Sequence, residues 1–138
     1  MSEPDFTVTR LGRLVLARVR RLASSDDVDA YLSTFAPLVA DGGALYLCAD
    51  HRTGTVYSPV VADRLLEIFT SLTRTWTLAA LIVSPLNATM NSQLTRVIRA
   101  SKNPERRVFS DPDGAEVFLS DVLDPEERAG LHLFLGER

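Results

Sequence analysis

The chain has 138 residues, 46% of them hydrophobic and 24% charged, which is long enough for one domain with a real core. Its net charge of −3 at pH 7 argues against a protein that binds nucleic acid or anionic membranes by bulk electrostatic attraction. Cys48 is the only cysteine, which excludes an intrachain disulfide, and no apolar run approaches the roughly 20 residues that a membrane span requires. Residues 1–10 contain no basic-then-apolar signal segment, so we expect a cytoplasmic protein.

The chain opens with a pattern that is typical of a β-hairpin. Residues 6–9 alternate apolar with polar side chains, and residues 14–19 form a second run rich in branched residues. Between them, Leu11-Gly12-Arg13 is suited to a tight turn. Three arginines, Arg18, Arg20 and Arg21, crowd the far end of this hairpin, and we expect them to form a solvated rim.

Two uncharged runs predict strands that are buried on both faces. The first covers residues 44–49, between Gly42-Gly43 and Asp50, and the second covers residues 78–83. Arg107-Val108-Phe109 predicts a further short strand. Strands of this kind usually lie in the middle of a sheet that helices cover on both sides.

Five segments carry apolar residues at helical spacing, and most begin with a capping signal. The five helices are predicted to start at Ser24–Asp27, Ser58-Pro59, Asn87, Asp111–Asp113 and Asp124–Glu127. The last start has a proline at the first helical position and a glutamate three residues after the cap. We expect the first helix to end at Asp41-Gly42-Gly43. The apolar faces of the first three helices are predicted to include Val28, Tyr31, Leu32, Phe35, Val61, Leu65, Ile68, Phe69, Leu72, Met90, Leu94 and Val97.

Strands and helices therefore alternate after an initial hairpin. This order predicts an α/β fold with a mostly parallel mixed sheet of about five strands, an antiparallel edge and four to five helices.

This order of elements resembles the STAS domain, the anti-sigma-factor-antagonist fold, and its SpoIIAA-like relatives. Ala44–Asp50 is similar to the central strand of that family, which ends in an acid, and Arg107–Asp111 is similar to its closing strand. Ser58 stands near the serine that antagonist members carry in phosphorylated form, although Tyr57 and Pro59 replace the acid and the glycine beside it. The resemblance covers residues 6–123 and leaves 124–138 as an additional helix, packed on the domain or at a dimer interface. It implies a bacterial signalling protein that is regulated at Ser58.

The candidate site is the loop that follows the central strand, since ligands of open sheets commonly bind at the carboxyl ends of the strands. We predict that a partner or ligand contacts this loop and the helix start behind it, through Asp50, His51, Arg52, Thr53, Thr55, Tyr57 and Ser58. The alternative is a plain solvent loop in which Asp50 is a local turn residue and Ser58 is only a helix cap.

The residues predict no enzyme, cofactor or metal. Cys48, Asp50 and His51 are close in sequence, but a strand directs His51 away from the other two, and Cys48 lies in an apolar run. His132 is the only other histidine, and no pair of residues has the spacing of metal ligands.

We therefore expect a regulatory domain that binds a partner protein through residues 50–61, with homodimerisation left open. The alternative is a small-ligand or lipid-binding module, whose ligand would lie between the helices and the sheet.

Overall fold

The computed structural model describes residues 4–40, 43–71 and 75–136. The predicted helix end at Asp41-Gly42 and the predicted inward face of Leu72 lie outside these residues, as do positions 137 and 138 of the C-terminal segment. The elements are, in chain order, β1 (Phe6–Leu11), β2 (Leu14–Val19), α1 (Ser25–Val39), β3 (Tyr46–Asp50), α2 (Pro59–Ser71), β4 (Leu78–Ile82), α3 (Ala88–Ser101), β5 (Arg106–Phe109), α4 (Pro112–Ser120) and α5 (Pro125–Gly136).

The strands form one five-stranded sheet in the order β1-β2-β3-β4-β5. β1 pairs with β2 in an antiparallel hairpin, and every later pair is parallel. This arrangement confirms the predicted α/β fold with a mixed sheet, an antiparallel edge and five helices. It places β3 in the centre, so the loop after β3 lies at the carboxyl edge of the parallel strands.

Helices cover both faces of the sheet. On the first face, α1, α2 and α3 pack over Val15, Leu47, Leu81 and other buried residues of β2, β3 and β4. On the second face, α4 and α5 cover Cys48 and its buried neighbours. The expected burial of the two central strands is confirmed, because all four of the leucine and valine side chains predicted there are almost inaccessible to solvent: Leu45, Leu47, Leu81 and Val83.

The last helix, α5, is held at its first turn by a reciprocal pair of hydrogen bonds. The Glu127 amide donates to Asp124 Oδ1 at 2.8 Å, and the Asp124 amide donates to Glu127 Oε1 at 2.9 Å, which confirms the predicted capping box. Glu127 Oε2 also accepts a hydrogen bond from the Arg13 amide at 2.6 Å, which ties α5 to the β1–β2 turn. Gly12 in that turn has φ of +59°, and a β-carbon there would lie 2.3 Å from Glu127 Oε2. The turn therefore requires glycine for its conformation and for the close approach of the carboxylate.

Further along α5, Leu131 and Leu135 are buried in the core of the second face. None of the helices in the described ranges has the length and the apolar character that crossing a membrane demands.

Candidate functional site

Asp50, the last residue of β3, lies at the centre of a buried ionic cluster. Only 1% of Asp50 is exposed, and its two carboxylate oxygens are held by Arg18 of β2 and by Arg52. Arg18 Nε lies 3.2 Å from Oδ2, and Arg52 donates from Nε to Oδ1 at 3.0 Å and from Nη2 to Oδ2 at 3.1 Å. The Arg52 amide adds a bond of 2.9 Å to Oδ1. Burial alone would raise the pKa of Asp50, but the hydrogen bonds from Arg52 and Arg18 outweigh it and lower the pKa below its ordinary value.

The same two arginines reach the C-terminal end of α5. Arg18 Nη2 donates to the Phe134 carbonyl at 2.8 Å, and Arg52 Nη2 donates to the Leu135 carbonyl at 2.9 Å. The Arg18 guanidinium also lies 4.4 Å from the centroid of the Phe134 ring. Cationic groups are favoured beside the free carbonyls at the end of a helix. Arg18 and Arg52 therefore join Asp50, at the end of β3, to the end of α5.

His51 and Tyr57 form a second buried pair in the loop. His51 Nδ1 and the Tyr57 hydroxyl lie 2.7 Å apart, and both side chains are almost fully buried. Gln93 of α3 fixes Tyr57 further, since its Oε1 accepts from the Tyr57 amide at 3.1 Å and its Nε2 donates to the Tyr57 carbonyl at 2.7 Å. Burial lowers the pKa of His51 to about 4, against the opposing charge of Asp50, and burial raises the pKa of Tyr57.

The buried neutral His51 leads to a prediction about pH. Its folded-state pKa of about 4 lies below the ordinary value of 6.5, so between these values the unfolded chain binds more protons than the folded one. The free energy of unfolding should thus decrease as the pH falls from 6.5 to 4, by at most about 1.4 kcal/mol per pH unit from this group. Urea denaturation at several pH values measures the slope. The variant His51→Gln should flatten it across this interval, and an unchanged slope in that variant would contradict the assignment.

The remaining predicted residues face solvent. Thr53, Thr55 and Ser58 are exposed, and so are three apolar residues: Val56 and Val60, in the same loop and helix start after β3, and Leu86, in the loop after β4. We call these six residues the edge surface. Ser58 Oγ accepts a hydrogen bond from the Val61 amide at 3.3 Å, and Pro59 is the first residue of α2, which confirms Ser58 as the cap of that helix.

The seven predicted residues therefore fall into two groups. Asp50, His51 and Tyr57 are buried and support the loop, together with Arg52, whereas Thr53, Thr55 and Ser58 are accessible. Arg18 was expected on a solvated rim, and that prediction is wrong: it is 7% exposed and paired with Asp50. The signal that could have found it is the register, in which Arg18 stands directly opposite Asp50.

Cys48 is not placed for reaction as a nucleophile. Cys48 is fully buried, and burial, together with the charge of Asp50, raises the pKa of its thiol, which disfavours the reactive thiolate. Across the described ranges, no three histidine, cysteine, aspartate or glutamate side chains are grouped as metal ligands. No protein-family model, curated protein or solved structure matches this chain. The interpretation of the site therefore depends on its own geometry.

Proposed function

We propose that the chain is a cytoplasmic, non-enzymatic regulatory domain of STAS-like type that binds a partner protein through the accessible part of residues 50–61. The observation that carries this proposal is the edge surface, in which exposed apolar and hydroxyl side chains follow the carboxyl ends of the adjacent strands β3 and β4. Val60 is 65% exposed and Leu86 is 95% exposed, and the polar Thr53, Thr55 and Ser58 are exposed as well. Uncovered apolar side chains bordered by polar groups are typical of surfaces that bind proteins.

The buried residues of the loop favour this function because they hold the edge surface in one conformation. Asp50 fixes the start of the loop through Arg52, and the His51–Tyr57 and Tyr57–Gln93 hydrogen bonds fix its end. A surface that is already ordered loses less conformational entropy when a partner binds.

A groove between α2 and α3 extends the edge surface. It has a volume of about 440 Å³ and begins at Pro59, next to Ser58. Apolar, polar and charged side chains line it: Pro59, Ala62, Asp63, Leu66, Ser92, Gln93, Arg96 and Val97. A partner bound at the edge surface would have this groove available for a side chain or a short segment.

Two substitutions of the same kind test the proposal. Val60→Asp places a charge on the edge surface, and Val117→Asp places one on α4, where Val117 is 73% exposed. Both positions are exposed in helices, so neither variant should unfold the domain. We expect Val60→Asp to abolish the capture of a protein partner from source lysate and Val117→Asp to leave it unchanged. Equal capture by both variants and the wild type would overturn the proposal, and native mass spectrometry of the purified chain would show whether the partner is a second copy.

Regulation at Ser58 makes a separate prediction. Ser58→Ala removes the cap of α2 and should destabilise the domain by about 1 kcal/mol without changing its fold. A phosphate on Ser58 would lie at the positive end of α2, a placement that is favourable by about 0.3–1 kcal/mol, so it should not unfold the domain. Its effect would be on the partner at the edge surface. The melting temperature of Ser58→Asp should therefore be no lower than that of Ser58→Ala, but the two variants should differ in partner capture. Equal capture by the wild type and both variants would show that Ser58 is only a helix cap.

A further inference from the structure

The strand β1 forms one edge of the sheet, and half of its backbone groups point outward. Among the described strands it pairs only with β2, and the antiparallel register runs without a break over all six residues of β1. In such a pair, residues alternate between those that exchange hydrogen bonds with the neighbouring strand and those that do not. The Arg20 amide donates to the Asp5 carbonyl at 2.7 Å. The odd-numbered residues of β1 therefore bond to β2, and the even-numbered residues turn their backbone groups away from it.

The outward groups of Phe6 and Val8 are open to another strand. Across residues 4–40, 43–71 and 75–136, no hydrogen bond is made to the amides and carbonyls of these two residues. Their side chains pack on the first face of the sheet, where the rings of Phe6 and Tyr31 lie 5.3 Å apart. Thr7 and Thr9 alternate with them, and both are exposed. A row of unpaired donors and acceptors of this kind is a template for strand pairing.

The features that usually protect an edge strand are missing from β1. Common ones are short length, a proline, a bulge or an outward-pointing charge. β1 has six residues, an unbroken register and no proline. Its one charged residue, Arg10, donates from Nε to the Gly12 carbonyl at 2.6 Å and from Nη1 to the Leu38 carbonyl, so its charge is held against its own chain. The opposite edge strand, β5, is better protected, since it has only four residues and two of them are arginines.

We propose that two copies of the chain associate through β1, in antiparallel orientation, so that their two sheets become one continuous sheet. A strand that pairs with its own copy in this way closes a two-fold dimer. With the two-fold axis at Val8, this residue lies opposite its own copy, and Thr7 lies opposite Thr9 of the second copy. Threonine pairs stabilise antiparallel strands. Arg10 lies opposite the apolar Phe6 of the second copy, so like charges do not meet. The interface goes beyond the proposed protein-binding function and uses none of the residues of the edge surface.

Sedimentation velocity of the full chain tests the dimer. At a chain concentration of about 100 μM, we expect the wild type to sediment as a dimer, since modest interfaces dissociate in the micromolar range. Thr7→Lys together with Thr9→Lys places like charges opposite each other across the interface and should give a monomer. Both threonines are exposed, so the circular dichroism spectrum of this double variant should be that of the wild type. A monomeric wild type, or a double variant that is still dimeric, would overturn the proposal.

Two further double variants locate the interface and its register. Thr53→Lys with Thr55→Lys makes the same change at two exposed threonines of the edge surface and should leave the dimer intact. Loss of the dimer in this control would place the interface on the edge surface and overturn the assignment to β1. Thr7→Glu with Thr9→Lys brings opposite charges together when Thr7 faces Thr9 of the second copy, so this variant should remain dimeric. A monomer would overturn the register centred on Val8.

Amide hydrogen exchange identifies the backbone groups that pair. In the dimer the Val8 amide is hydrogen-bonded, so it should exchange at least about tenfold more slowly than in the dilute monomer. The Thr9 amide already bonds to β2 and should be protected in both states. A Val8 amide that exchanges equally fast in both states would overturn the proposal.

Discussion

Replacing Asp50 with alanine is expected to lower the free energy of unfolding by about 3–5 kcal/mol, the usual cost of removing one partner from a buried ionic cluster. The substitution would leave the guanidinium groups of Arg18 and Arg52 buried, close together and without their shared carboxylate. Both arginines also bind carbonyls at the end of α5, so their displacement should loosen that helix. Urea denaturation at pH 7 measures the loss. The pKa of Asp50 is lowered in the folded protein, so its contribution is present above the ordinary carboxyl pKa and is lost only as the pH falls through the lower, folded-state value.

Asp29 provides the matched control for Asp50. Its carboxylate lies 2.8 Å from Arg64 Nη2, a geometry as good as that of Asp50, but both side chains are substantially exposed. Water and dissolved ions screen an exposed pair, so Asp29→Ala should lower the free energy of unfolding far less than Asp50→Ala. Similar losses in the two variants would show that the Asp50 cluster is not buried in solution. Hydrogen exchange should show earlier loss of protection in α5 for Asp50→Ala alone.

Most of the fold could be predicted because each element carries a local signal. The caps at Ser24, Asp111 and Asp124 stand where the sequence predicts helix starts, and each side chain accepts a backbone amide of the following turn. The two uncharged runs predict central strands because a strand that is covered on both faces carries apolar side chains on both of them. The order of these elements then leaves few topologies to choose from.

The role of Asp50 could not be predicted in this way. Its arginine partners donate hydrogen bonds to the carbonyls of Phe134 and Leu135, more than 80 residues further along the chain. A sequence does not indicate which backbone carbonyls will accept such distant hydrogen bonds. The sequence predicts an exposed Arg18 because a charged residue at the end of a hairpin usually faces water. Only the register that brings Arg18 opposite Asp50 distinguishes an internal ion pair from an exposed one.

Leu47 tests the packing of the central strand. It is the second residue of β3, is 3% exposed and packs in the core of the first face of the sheet. Leu47→Ala should lower the free energy of unfolding by about 2–5 kcal/mol, because the burial of the leucine side chain is lost and a cavity is left in its place. Leu133→Ala is the matched control, since Leu133 is 70% exposed on α5 and should change stability by less than about 0.5 kcal/mol. A loss below about 1 kcal/mol for Leu47→Ala would mean that β3 is not packed on both faces and therefore is not a central strand. The placement of the edge surface depends on that central position and would then be wrong.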